Sequence, residues 1–184
     1  MSMDPNRNGQ AYGFQAMTPI KPGEEDALRA YLEGMHAKGS PLAKLPRVHM
    51  GRFVIIEDFH NDPSWGQGKE EHLDLQYLVF TTNHDGDLDS FLDELSEQLA
   101  PEAPEIWGRC VGCPDDPQGA ALKKYLEHNQ IDCGFFYAAY GEATVRDVKA
   151  ALAQRDQVIG FATRTQGMAP AELQQAFLAE FGTA

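Results

Sequence analysis

The sequence is poor in cysteine, in basic residues and in long apolar runs. Its 184 residues hold only three cysteines, and 15 Lys and Arg stand against 28 Asp and Glu, which gives a formal net charge of −13. Three cysteines are too few for a disulfide scaffold. The shortage of cations disfavours nucleic acid and anionic membrane surfaces as partners, because both are bound mainly by Lys and Arg. No window approaches the roughly 18 consecutive apolar residues of a transmembrane helix.

The N-terminus also lacks the apolar stretch of a signal peptide, so a cytoplasmic location with reduced thiols is expected. Residues 1–10 are polar and are predicted to form a disordered tail. The remaining length fits one domain with a core of its own. We expect this domain to cover residues 11–162, followed by a C-terminal amphipathic helix within 163–184.

Hydrophobic periodicity predicts an α+β fold with a ferredoxin-like βαββαβ core. Four strands are predicted, at 12–20, 47–58, 73–83 and 106–113. Two helices, at 23–37 and 87–99, lie between them, each with an apolar stripe and acidic residues in its first turn. A helix–strand–helix extension is predicted to follow, with its strand at 133–140, and the chain closes with an amphipathic helix at 171–181.

Two sets of segments carry a family resemblance. The stretch TPIKPGEEDAL, residues 18–28, resembles the strand-to-helix entry of the dimeric α/β-barrel proteins. That superfamily pairs two ferredoxin-like sheets into a barrel and includes cofactor-free monooxygenases, haem-degrading enzymes, chlorite dismutases and dye-decolourising peroxidases. The segments VHMGRFVI (48–55), NHDGDLD (83–89) and WGRCVGCP (107–114) are similar to a bacterial group without an assigned activity. Related segments of that group occur beside, or fused to, haem peroxidase-type oxidoreductases.

The resemblance implies a fold, a homodimer and a link to a partner oxidoreductase, and it transfers no catalytic residues. From the residues themselves, His49 and Arg52 are the catalytic candidates. Side chains alternate along a strand, so His49 is predicted to share an apolar face with Phe53 and Ile55, and Arg52 to lie on the opposite one. An Arg embedded in an apolar strand needs an anionic partner. A substrate anion and a structural ion pair with Glu57 or Asp74 are both open.

Aromatic residues on four predicted strands are the candidates for lining a ligand cavity. The alternative is an ordinary aromatic core. The set comprises Tyr12, Phe14, Phe53, Tyr77, Phe135 and Tyr137.

The cysteines form a second candidate site. Cys110 and Cys113 make a C-x-x-C pair, and with His128 and Cys133 they supply enough ligands for tetrahedral zinc. A redox couple is a further alternative. We prefer a structural role, because free cysteines are among the most buried residues.

Weaker metal candidates lie in two loops. Residues 83–87 are rich in oxygen ligands, but a turn followed by a capping Asp87 explains them. A loop set could collect a divalent ion, although charged loop residues are usually only solvated; it comprises His60, Asp62, Glu70, Glu71 and His72. The helical histidines His36 and His128 lie near helix ends, which disfavours haem. No cofactor is predicted, with haem and zinc as the alternatives.

Two classes of function follow. The preferred one is a small-ligand-binding or accessory domain that forms a homodimer, holds an apolar or anionic ligand and serves an oxidoreductase system. The alternative is an oxidoreductase of the monooxygenase or peroxidase type, in which Arg52 orients an anion and His49 transfers protons.

Overall fold

A computed structural model describes residues 4–59 and 71–182. The described strands are β1 (Arg7–Asn8), β2 (Ala11–Pro19), β3 (Val48–Ile56) and β4 (Tyr77–Asp85). The described helices are α1 (Glu25–Lys38), α2 (Leu88–Gln98), α3 (Ala103–Ile106), α4 (Gly119–His128), α5 (Val145–Arg164) and α6 (Pro170–Phe181), with short 3-10 turns at Pro41–Lys44 and Trp107–Arg109. The prediction of an α+β fold is confirmed.

The strands form one antiparallel sheet in the order β1-β2-β4-β3. β4 lies between β2 and β3 and pairs with both along most of its length. β2 and β3 are therefore parallel to each other and are joined by α1, which is a βαβ unit split by a central antiparallel strand. β3 is one edge of the sheet.

One face of the sheet packs against helices and forms the core. Alternate residues of β2 and β4 point into it, and Phe80 stacks on Phe53 at 4.7 Å between ring centroids. Trp107 meets Phe80 edge-on at 5.4 Å. The fully enclosed side chains of this core include Phe14, Ile20, Leu28, Leu78, Phe80, Phe91, Leu92, Leu95, Leu99, Ile106, Trp107 and Leu122.

The predicted strand at 106–113 is wrong. Ala103, Ile106 and Trp107 are all buried, and their spacing of three and four residues fits a helical turn and not a strand. The chain there forms α3 and a 3-10 turn. Cys110 makes only an isolated bridge with Ile20.

The predicted strand at 133–140 is also wrong, because the edge of β2 that it would need is already occupied. Three separate segments supply that edge with hydrogen bonds: Asn6 accepts from Gly13, Asn129 accepts from Met17, and Val111 donates to Pro19. Residues 133–140 are irregular, and Phe135 is 85% exposed. At this edge of β2, short hydrogen-bonded segments thus stand where the βαββαβ pattern would place its fourth strand.

The described N-terminal residues, from Asp4 onward, contact the sheet, and the disordered tail at 1–10 stays a prediction. β1 pairs with β2, and Asn6 is 2% exposed. The Asn6 amide donates to Asp132 at 2.8 Å and its carbonyl oxygen accepts the backbone N–H of Cys133 at 2.7 Å. These contacts hold the irregular segment at 132–133 against β1 and β2.

The chain divides into two compact units, residues 1–145 and 146–184. The second unit contains α5 after Val145 and all of α6, and the predicted division near residue 163 stays a prediction. Within that unit Phe161 packs edge-on against Phe177 and Phe181, at 5.9 and 5.3 Å between ring centroids. None of the described helices is both long and apolar enough to cross a bilayer.

Candidate functional site

Among the described residues, no helix of the first unit covers the second face of the sheet, whose residues form four rows across β2, β4 and β3. Cross-strand register places three residues in each row. The first two rows are polar or small except for Met50, and the next two are apolar. In order along the sheet the rows are Gly13–Asn83–Met50, Gln15–Thr81–Arg52, Met17–Val79–Val54 and Pro19–Tyr77–Ile56. The only charged residue among them is Arg52.

A groove of about 530 Å³ lies over the two polar rows. The irregular segment after residue 132 closes one end, where the ring of Phe136 packs on Gly13. A Cβ at position 13 would lie 3.0 Å from that ring, so a larger residue there would require the ring to shift by a few tenths of an ångström. The groove is lined by Gly13, Phe14, Gln15, Met50, Gly51, Arg52, Thr81, Thr82, Asn83, Cys133 and Phe136. None of these residues is acidic.

Arg52 lines this groove with an exposed side chain, so the expectation that it is embedded among apolar residues is wrong. The strand lies at the sheet edge and its outer face is open. Arg52 Nε donates to Thr81 Oγ1 at 3.0 Å. The alternative of a structural ion pair with Glu57 or Asp74 is not formed among the described residues: Glu57 pairs with Arg29 at 2.6 Å, and no described carboxylate lies within 4.0 Å of the Arg52 guanidinium.

A second open groove of about 480 Å³ lies between α1 and the edge strand β3. It shares Gly51 and Arg52 with the first groove and is otherwise lined mainly by α1 and the segment at 39–42. Glu33 and Arg29 both border it, so its charges are mixed. This mixture makes it a poorer candidate for a selective site than the groove on the open face.

His49 is not in the apolar surroundings that strand alternation predicts. A β-bulge between Val48 and Met50 makes His49 an extra residue outside the alternation. Its Nε2 lies 2.7 Å from Oδ1 of Asp85, a carboxylate that is 7% exposed. The other Asp85 oxygen accepts the backbone N–H of Val145 at 2.8 Å.

The contact with His49 makes Asp85 a functional candidate that the sequence did not single out, since Asp85 was considered only within the loop at 83–87, as a weak metal ligand or part of a turn. A buried carboxylate can fix the orientation and tautomer of a histidine that transfers protons. His49, however, does not line the groove that holds Arg52. The two predicted catalytic residues thus belong to different parts of the sheet.

The six predicted ligand-binding aromatics are not brought together. Tyr12 and Phe14 are buried, and Phe53 stacks on Phe80, so these three belong to the core, although Phe14 also borders the groove. Tyr77 lies in the last row of the open face. Tyr137 is 70% exposed, and Phe135 is 85% exposed. Phe136, which was not predicted, is the aromatic residue that shapes the groove.

The four predicted zinc ligands do not converge. Thr18, on the core side of β2, donates to Cys110 Sγ at 3.3 Å, whereas Cys133 Sγ lies near Gln15 and Gly13 on the open side. His128 is exposed on α4. Within the described residues no group of three or more His, Cys, Asp and Glu is arranged to hold a metal ion.

The thiol environments argue against the redox alternative for the C-x-x-C pair. Burial raises the pKa of the Cys110 thiol and raises that of Cys113 to about 11. A reactive redox cysteine needs the opposite shift, because the thiolate is the nucleophile. Cys110 is fully enclosed in the core, as the structural interpretation expects.

The loop at 83–87 is explained by the predicted turn and cap. Asp87 accepts from the backbone N–H of Ser90 at 2.8 Å and from its hydroxyl at 2.7 Å. These bonds lower the pKa of the Asp87 carboxyl to about 2. Gly86 has a φ of +89°, which favours glycine in the turn.

The second loop set is only partly within the described residues. Three of its members lie outside the described residues: His60, Asp62 and Glu70. The side chain of His36 is also outside the described part. His72 Nδ1 lies 2.7 Å from Asp58 Oδ2, and this hydrogen bond lowers the pKa of the Asp58 carboxyl to about 2.

Comparison with protein-family models, curated proteins and solved structures finds no match for this chain. The class of protein must therefore be inferred from the geometry of the open sheet face.

Proposed function

We propose that this chain is a small-ligand-binding accessory domain that pairs with a second copy through the open face of its sheet. The observation that carries the proposal is the acid-free groove on that face, beside two rows of apolar residues. Pairing of two such faces would turn each open groove into an enclosed cavity of the kind that small-molecule sites use.

The apolar rows support the homodimer. Val54 is 44% exposed and Ile56 is 36% exposed, and Met50 beside the groove is 67% exposed. Contiguous exposed apolar residues of this kind mark interaction surfaces. A chain with a net charge of −13 repels its own copies, so a face without any carboxylate is the favourable place for self-association.

We also propose that the fold is ferredoxin-like. The split βαβ unit of β2, α1, β3 and β4 supports a ferredoxin-like sheet of the dimeric α/β-barrel type. The link to an oxidoreductase system rests on the sequence resemblance described above. Native mass spectrometry of the protein purified under non-denaturing conditions tests the ligand: a retained small molecule is expected, and its absence at every preparation would count against ligand binding.

Replacing Val54 with Asp should weaken dimerisation by roughly 100-fold or more, because two unpaired carboxylates would be buried in the interface. Sedimentation velocity across a concentration series measures the effect. The matched control is Val111→Asp, at a residue of similar exposure, 41%, that lies outside the four rows. A wild-type chain that stays monomeric throughout the series, or equal behaviour of the two variants, would contradict the homodimer.

A further inference from the structure

The guanidinium of Arg52 makes one side-chain hydrogen bond to the rest of the described chain. Its Nε donates to the Thr81 hydroxyl at 3.0 Å, which orients the group. Neither of its Nη atoms has a hydrogen-bond or ion-pair partner among the described residues. In a chain with 28 acidic residues, a cation positioned in this way and left without a carboxylate is available for a ligand.

Within the groove on the open face, the surroundings of Arg52 supply further polar groups and no acidic side chain. Gln15 lies in the same row of the sheet, on the far side of Thr81, and Asn83 lies in the adjoining row. All three line the groove with Arg52. A guanidinium with two free Nη atoms matches a planar carboxylate in a two-point arrangement, and side-chain amides can bind its remaining lone pairs.

The end of the groove at Gly13 is bordered by the ring of Phe136, and the apolar side chain of Met50 lies in the same row two strands away, across Asn83. Cys133, whose pKa is raised chiefly by burial, completes this end with a neutral thiol. A ring placed here would gain aromatic and sulfur contacts.

We propose that the groove binds a small carboxylate that carries an aromatic ring, with the carboxylate on Arg52 and the ring against Phe136 and Met50. This inference rests on the proposed ligand-binding function and names the chemical class of its ligand. Thr81 is a positioning residue in it, since it acts by holding the Arg52 guanidinium.

The test compares benzoate with its neutral isostere benzamide, using calorimetry for affinity and NMR shifts of the groove residues for location. Benzoate should bind the wild-type dimer at least 10-fold more tightly than benzamide, because a charge-assisted bidentate pair is roughly twice as strong as a neutral one. Arg52→Gln should weaken benzoate binding by about 10- to 100-fold and leave benzamide unchanged. Arg52→Lys should recover only part of the loss, because an ammonium lacks the planar fork.

Arg155→Gln is the control, because Arg155 is an exposed arginine of α5 that pairs with Asp156; it should leave both affinities unchanged. Equal affinities for benzoate and benzamide at the groove would overturn the carboxylate assignment while leaving the ligand-binding function in place. If neither compound shifts any groove residue, this inference fails, whereas the proposed ligand-binding function fails only if native mass spectrometry also finds no retained ligand. Benzoate binding that survives Arg52→Gln would also overturn the inference.

Discussion

Acidification from pH 7.5 to pH 5 should lower the free energy of unfolding by about 2 kcal/mol through His84 alone. The pKa of His84 falls from 6.5 to about 3 in the folded protein. Below pH 6.5 the His84 imidazole is therefore protonated in the unfolded chain and stays neutral in the folded protein until the pH approaches 3. The stability is fully present above pH 6.5 and is lost as the pH falls towards 3.

Burial is the main physical cause of this shift. His84 is 0% exposed, and its ring stacks on Phe91 with 3.6 Å between centroids and 11° between planes. Neither ring nitrogen has a hydrogen-bond partner among the described residues. Arg47 and Arg7 add positive charge nearby, which further disfavours the imidazolium.

His84→Phe should abolish this part of the pH dependence, because a phenyl ring can keep the stack on Phe91 and cannot be protonated. His84→Leu serves as a second variant in case the larger ring strains the core. The measurement is chemical denaturation followed by circular dichroism at several values between pH 7.5 and pH 5. The readout is the slope against pH, so a constant loss of stability in either variant does not affect it.

The matched control is His128→Phe, which replaces an exposed histidine and should keep the wild-type slope. The pH window also separates His84 from the carboxyls with lowered pKa. Asp58 and Asp87 titrate near pH 2 in the folded protein and near 3.8 when unfolded, so their contribution is lost only under more acidic conditions. A wild-type slope retained in both His84 variants would show that another group is responsible.

Local periodicity accounts for what the sequence predicted well. The apolar stripes that predict helices at 23–37, 87–99 and 171–181 correspond to α1, α2 and α6 with shifts of one or two residues at each end. The apolar stripe of an amphipathic helix is a local sequence pattern, so it can be recognised without knowing which surface the helix packs against. The strands β2, β3 and β4 were located for the same reason.

A strand can join a sheet only where a neighbouring strand has unpaired backbone groups. Whether such an edge is available cannot be seen in a short stretch of sequence. The aromatic run at 133–140 has a strand-like composition, yet the edge of β2 is bonded by residues from three other segments. The same reasoning applies to the groove. Arg52 could be singled out as an unusual residue of β3, but its neighbours Thr81 and Gln15 are set by register across three strands.

The bulge at His49 is the clearest case of a feature that alternation cannot predict. One extra residue between Val48 and Met50 removes His49 from the face that Phe53 occupies. Its new position brings it to Asp85 at the far end of β4. The sequence therefore singled out a histidine that contacts a buried carboxylate, but it predicted apolar neighbours for it.

The Asp85 carboxylate should be the largest single polar contribution to the stability of the first unit. One oxygen lies 2.7 Å from His49 Nε2, and the other accepts the Val145 N–H at 2.8 Å. Asp85→Ala removes both acceptors and leaves a buried backbone donor without a partner. We expect the free energy of unfolding to fall by about 3 kcal/mol, because an unpaired buried donor and a lost hydrogen bond to a carboxylate both contribute.

Asp85→Asn separates the two contributions. The amide oxygen can still accept the Val145 N–H, and the amide N–H₂ can donate to an imidazole nitrogen that carries no proton. The expected loss is about 1 kcal/mol, from replacing a charged acceptor by a neutral one. Denaturant titration at neutral pH gives both values, and His49→Gln in each background gives the coupling energy between the two side chains.

Asp89→Ala provides the matched control on the neighbouring helix. Asp89 pairs with Lys123 at 2.7 Å, but its side chain is 79% exposed and Asp93 contacts the same ammonium. An exposed pair of this kind contributes less than about 1 kcal/mol. Equal effects of Asp85→Ala and Asp89→Ala would mean that the Asp85 contacts do not stabilise the fold. The bulge at His49 would then have to be held by the backbone pairing of β3 with β4, and His49→Gln should leave stability unchanged in every background.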